Sequence, residues 1–410
     1  MPPTRSLLSD YSHDHPFAFS DQATVISKNT AWFQESVSPL DDLVELSASS
    51  PSYTEAQSIS GEVQLNLRTP DRVKSVSISV EGYYSIPGYD AKTFLHVSET
   101  LWDSSMGDPR SSGMFLSQGA DHPGKLNGKY AWSFKIDFPR TLEMTTKQEK
   151  RASHGARSGA RLPPSLRGSH GKARIGYEVC VRLKRPGWRF GNSLTVPITY
   201  MISTRPAPAS FLRRLAYQNK TPVPSHVDDP PGWMLYPGVQ VNGVLQRSQI
   251  TFSCMLALAS PLSYTRGSFI PCALVIESND HKVLEAMSSP SAVRVVLRRR
   301  LILYSKLGGE LALDEQENII AKASWIPEHT SAREQSIFSR ILQGEISIPP
   351  NAAPSFDFGR LAMKYDVIIF PFEIPGFTSI ENSPLTRAEV AITTMPAEGP
   401  LPLSQCTSGR

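Results

Sequence analysis

A period of two limits what this chain can fold into more than any other feature. In residues 131–139 Trp132, Phe134, Ile136 and Phe138 share one face while Ser133, Lys135 and Asp137 share the other. A strand with one dry and one wet side has this signature. Val63, Leu65 and Leu67 repeat it, as do Val76, Ile78 and Val80 set against Ser75, Ser77 and Ser79. Tyr177, Val179, Val181 and Leu183 lie opposite Glu178, Cys180, Arg182 and Lys184. A second series starts at Ile250, Phe252, Cys254, Leu256 and Leu258 and continues through 269–278, 292–304, 344–350, 365–372 and 387–394. No apolar stripe of helical period runs for four turns, and 34 prolines weigh further against a helical bundle.

Two series call for two cores. The 410 residues exceed the ~250–300 at which a single core stops growing, and 40% hydrophobic with 20% charged residues supplies enough apolar material for packed domains. The expected fold class is all-β, with two tandem antiparallel β-sandwich lobes. The first lobe is expected over residues 59–204 and the second over 236–395, with a short flexible tail at 396–410. The Pro-rich stretch 205–235, in which little but Phe211–Leu215 suits even one helical turn, reads as the linker. Residues 1–58 read as a mostly disordered Ser/Thr-rich arm.

Charge is distributed unevenly around a total of +4. The arm holds two basic and eight acidic residues, a balance of −6 that leaves +10 for the rest of the chain. Within 147–174 eight basic residues accompany one acid, Glu149, among Gly, Ser and Ala. This basic loop reads either as a solvated insertion or as an anion site for lipid headgroups, phosphorylated tails or the protein's own arm. The candidate binding residues are Arg151, Arg157, Arg161, Arg167 and Lys172. Nucleic acid is not an expected partner, because no aromatic residues interleave the charges to stack on bases.

Catalytic and cofactor signatures are missing from the sequence. There is no nucleophile elbow, and Gly171-Lys172 has Leu166 and Ala173 where a phosphate loop needs a glycine and a hydroxyl. The histidines show no helical metal spacing, and no cofactor is expected. Cys180, Cys254, Cys272 and Cys406 form no C-x-x-C pair and read as buried, inert free thiols of a reducing compartment. No run approaches the ~18 apolar residues of a membrane span and the first residues have no signal-peptide core, so a cytoplasmic protein is expected. Arg299 stands among the apolar residues of its strand, facing away from Arg298 and Arg300; it needs either a partner or an exit to water.

In order and spacing, these segments resemble the arrestin family, in particular the fungal α-arrestin-type proteins. Residues 61–85, 132–139, the Leu-Pro-Pro-Ser turn at 162–165 and 175–183 look like the family's first lobe. Tyr264, Arg266, Gly267 and Pro271, then Pro354, Ser355, Phe356 and Tyr365, resemble its second-lobe signatures. Trp132, Tyr177, Tyr264, Gly267 and Phe356 read as packing and turn residues. The resemblance spans roughly 59–395. It implies immunoglobulin-like lobes and a non-enzymatic adaptor that binds cytoplasmic tails of membrane proteins, peripherally at plasma membrane or endosomes, for endocytic trafficking or ubiquitination. The alternative it implies is a structural coat or sorting subunit of a retromer-type assembly. Many α-arrestins recruit a ubiquitin ligase through Pro-Pro-x-Tyr, but the Pro-Pro pairs here lead to Arg5, Leu166, Trp233 and Ala352.

Overall fold

The structure is a computed structural model. It describes residues 17–21, 24–27, 51–55, 57–86, 90–110, 125–142, 160–166, 173–187, 192–304, 312–326, 336–404 and 406. Among them it is nearly all β, as the alternation requires, and the fold class is two-lobed sandwich. The chain divides into unit 1, residues 1–143 with 164–201, and unit 2, residues 144–163 with 202–410.

Unit 1 carries β1 (Phe17–Asp21), β2 (Thr24–Ser27), β3 (Ser52–Thr54), β4 (Ser58–Arg72), β5 (Ser75–Ser85), β6 (Lys92–Asp103), β7 (Lys125–Asp137), β8 (Arg174–Lys184) and β9 (Asn192–Met201). They form two sheets, β2-β1-β4-β7 and β3-β9-β8-β5-β6. In β7 the alternation holds with one exception: Tyr130, Phe134 and Ile136 are buried and Ser133, Lys135 and Asp137 exposed, while Trp132 is only half-buried. The core closes on aromatic rings, with Phe138 on Tyr200 at 4.8 Å and Tyr200 on Tyr177 at 5.0 Å between centroids. Cys180, on the face expected to be wet, is buried: its neighbours across the ladder are Ser79 and Thr195, small enough to close over it.

Within the stretch read as a mostly disordered arm, the structure describes strands at two places. β1 pairs with β2 and with Phe17–Ser20 opposite Glu62–Leu65 of β4, and β3 lies parallel to β9. Sheet edges offer unpaired N–H and C=O groups, and even a Ser-rich segment can satisfy them. Most of the remaining arm lies outside the described residues.

Unit 2 carries β10 (Trp233–Leu235), β11 (Val239–Leu245), β12 (Ser248–Ala259), β13 (Ser263–Thr265), β14 (Phe269–Glu277), β15 (Val295–Tyr304), β16 (Ala312–Trp325), β17 (Ser339–Ser347), β18 (Phe356–Phe358), β19 (Leu361–Ile369), β20 (Phe377–Ser379) and β21 (Thr386–Thr393). The hydrogen-bonded path runs β13-β21-β19-β15-β16-β17-β14-β12-β11-β20. β16 is where it changes layer, since residues up to Lys322 pair with β15 and Ala323–Trp325 pair with β17. Gly344 makes the crossing possible: a Cβ there would meet the Ser324 carbonyl at 2.6 Å. Leu256, Leu258, Ile270, Leu274 and Val296 are fully buried, each stabilising by about 1.5–3 kcal/mol. Gly267, with φ +76°, makes the turn before β14 that the sequence marked.

Residues 205–235, read as a linker with at most one helical turn, contain a nine-residue helix, α1 (Phe211–Asn219). They also contain β10, which pairs with β12. Pro206 and Pro208 precede the helix and Pro222 and Pro224 follow it, so no proline enters its interior. The Ser210 hydroxyl accepts from Arg213 N at 3.2 Å and caps the start. Trp233 is buried and donates from Nε1 to Pro224 O at 3.0 Å, which fastens this stretch within unit 2. A second helix, α2 (His281–Met287), follows β14, and neither helix is long and apolar enough to cross a membrane. Cys180, Cys254 and Cys272 are buried free thiols; Cys406 is free and partly exposed, which corrects its reading as buried. Burial pushes the Cys254 thiol up to about 12.

Candidate functional site: a charge lattice on the second sheet

The richest polar constellation lies on one face of β21-β19-β15-β16. Register sets it up: β15 places Arg298 opposite Asp366 and Arg300 opposite Lys364 of β19, while β21 places Glu389 opposite Asp366. On the other side of β15, β16 sets Glu317 opposite Arg300 and Glu315 opposite Ile302. Four cations (Arg298, Arg300, Lys364, Arg387) thus interleave with four anions (Glu315, Glu317, Asp366, Glu389) on neighbouring strands.

Asp366 is the centre. It is 0% exposed, and three guanidiniums converge on it: Arg300 Nε at 2.5 Å, Arg387 Nε at 3.1 Å and Arg298 Nη2 at 3.4 Å. A buried carboxylate needs such donors, since an unpaired charge at that depth is expensive. The outer acids complete the pairs, Glu315 with Arg300 at 2.7 Å and Glu317 with Arg298 at 2.6 Å. Burial pulls the Arg300 guanidinium down, but its hydrogen bonds to Glu315 and Asp366 outweigh that and hold its pKa above the ordinary value. Arg387 differs from the others. Its side chain is 47% exposed, and Asp366, reached through Nε, is its one ion-pair partner among the described residues.

Arg299, read as needing either a partner or an exit to water, is partly exposed; the buried arginine of β15 is Arg300. The reason is that β15 is paired along both edges, with β16 and with β19. The side of Arg298 and Arg300 is closed by charged partners from β16 and β19, while Arg299 sits opposite Tyr365 and Asn318. The lattice was half legible. Arg298 and Arg300 share a face by alternation, and Asp366 interrupts an apolar run, but Arg300 and Asp366 stand 66 residues apart and nothing local pairs them.

Of the candidate residues in the basic loop, Arg151, Arg157, Arg167 and Lys172 lie outside the described residues. Arg161 is described: it is exposed, and its Nη2 donates to the Ser203 carbonyl at 2.7 Å. Among the described residues no group of three His, Cys, Asp or Glu side chains is placed to hold a metal ion. No family model matches this chain, and no curated protein is similar enough to be matched to it.

Proposed function

We propose that the protein is a non-enzymatic arrestin-like adaptor that binds cytoplasmic segments of membrane proteins and links them to endocytic trafficking or ubiquitination, working in the cytoplasm and at membrane surfaces. One observation carries the reading beyond the resemblance. Arg387 is a half-exposed arginine whose carboxylate partner is wholly buried, on a sheet face of paired charges. An acidic or phosphorylated residue of an extended partner segment would complete its fork, because guanidinium donors match carboxylate and phosphate oxygens in pairs. Recognition by a preformed face suits an adaptor, which has to bind without transforming what it binds.

The experiment is proximity labelling in the source cell with the wild-type chain and with Arg387→Gln. The reading expects labelled membrane proteins with acidic cytoplasmic segments, and their loss by about fivefold or more in the variant, in line with a charge-assisted hydrogen bond of ~1.5–3 kcal/mol partly discounted for exposure. Labelling that is free of membrane proteins overturns it. A few partners recovered in fixed stoichiometry, unchanged by the variant, would instead support the coat-subunit reading.

A further inference from the structure

Helix α1 is built inside out. Phe211, Leu212 and Leu215 are exposed, whereas Arg213 is 3% exposed and is buried beside Ala216 and Tyr217. Turning a guanidinium inward is unfavourable unless donors and charge are met. Here they are met only in part: one Nη2 proton goes to the Ser260 carbonyl, and Nε has no acceptor. Among the described residues no carboxylate stands within ion-pair distance of Arg213. Asp229 is buried in the same region but is engaged by the Ser210 hydroxyl, and Glu345 accepts from the Ser404 hydroxyl at 2.7 Å.

The same arginine lines a cavity of about 420 Å³ within unit 2. Its walls are largely apolar, with Tyr217, Tyr264, Phe269, Pro271 and Leu401 among them. Two arginines line it, Arg213 buried and Arg266 partly exposed, and a cavity of that size with largely apolar walls and a few charged groups is what small-molecule sites share. The Tyr264 hydroxyl donates to the Ala259 carbonyl and does not accept from Arg213 Nε. Arg213 is the one buried cation of the lining and balances a monoanion at that depth; the second charge of a phosphate dianion would have only the partly exposed Arg266 to meet it. We propose that this cavity is a binding site for a small monocarboxylate with an apolar body, its carboxylate on Arg213 and its hydrocarbon against Tyr264, Phe269 and Leu401. The site is separate from the charge lattice and does not depend on the adaptor reading.

The test is calorimetric titration of the full chain with octanoate, methyl octanoate and octyl phosphate. Octanoate is expected to bind, with the methyl ester at least tenfold weaker because it keeps the body and lacks the charge. Arg213→Gln is expected to weaken octanoate at least tenfold, and Lys282→Gln on exposed α2 to leave it unchanged. Should Arg213→Gln fail to fold by circular dichroism, Ala207→Trp at the exposed rim serves in its place and is expected to block octanoate while the fold is kept. Absence of octanoate binding, equal binding of the ester, or binding unchanged in the folded variants overturns the proposal. Tighter binding of octyl phosphate than of octanoate overturns the carboxylate assignment.

Discussion

Glu81 in unit 1 and Asp366 in unit 2 sit at the centre of similar cross-strand clusters, yet solvent reaches one and not the other. Glu81 lies opposite Glu178 across the β5–β8 ladder, as Asp366 lies opposite Glu389 across β19–β21. Like charges facing each other oppose pairing, so both ladders need cations. Unit 1 supplies Arg182 at 2.5 Å from Glu81, together with the Ser79 hydroxyl at 3.0 Å and His96 at 3.4 Å. Arg182 and His96 are each 48% exposed there, and Glu81 is 15% exposed. Unit 2 supplies three arginines around an acid that water does not touch. A charge pair left in water is worth little and can be lost cheaply, whereas a buried one must be kept whole.

The largest expected effect tests the buried cluster. Asp366→Asn leaves three guanidiniums sharing a neutral amide, and urea denaturation should show a loss of about 3–5 kcal/mol from unit 2. A loss below about 1 kcal/mol would mean that water enters the lattice freely and that the two clusters are equivalent. Glu81→Gln should cost only about 1 kcal/mol, since the amide still accepts hydrogen bonds and Arg182 remains solvated. If the two substitutions cost the same, the contrast between them fails.

Acidity sharpens the comparison within unit 1. Burial raises the Glu81 carboxyl, but hydrogen bonds from Arg182 and Ser79 outweigh it and leave the pKa below the ordinary value. Its contribution is therefore present above the unfolded pKa of about 4.3 and is lost as pH falls through the lower folded value. Glu178 goes the other way, raised by burial and then by the charge of Glu81, so its ionisation lowers stability as pH climbs through that raised value. Glu178→Gln should therefore stabilise by about 0.5 kcal/mol at pH 7 by relieving the facing charges. Thermal midpoints scanned from pH 3 to 7 should fall less steeply on the acid side for Glu81→Gln than for wild type. A parallel pair of curves would show that Glu81 titrates alike in folded and unfolded chains.

The smallest effect comes from salt. At 1 M NaCl, where screening acts over about 3 Å, most of the difference between Glu81→Gln and wild type should disappear, while the Asp366→Asn difference persists. Equal salt sensitivity of the two would place Asp366 in contact with bulk ions.

Local alternation by itself determined the strands. Phe134 and Ile136 inward with Lys135 and Asp137 outward needs no knowledge of any partner, because the pleat sends successive side chains to opposite faces. Proline placement was legible as well, and within the stretch read as a linker it brackets α1: prolines break helices only from inside, and these lie outside. Only the tertiary structure decided which acid meets which base. Arg299 was the charge that drew notice in the sequence and Arg300 is the one buried, because burial depends on which side chains β16 and β19 bring beside each face of β15, and both strands arrive from elsewhere in the chain. The same holds for Arg213, whose neighbours in sequence mark it as a surface residue of an amphipathic turn. Its burial comes from Ser260 and the strands around it, contacts that close 47 residues away and leave no period in the sequence to read.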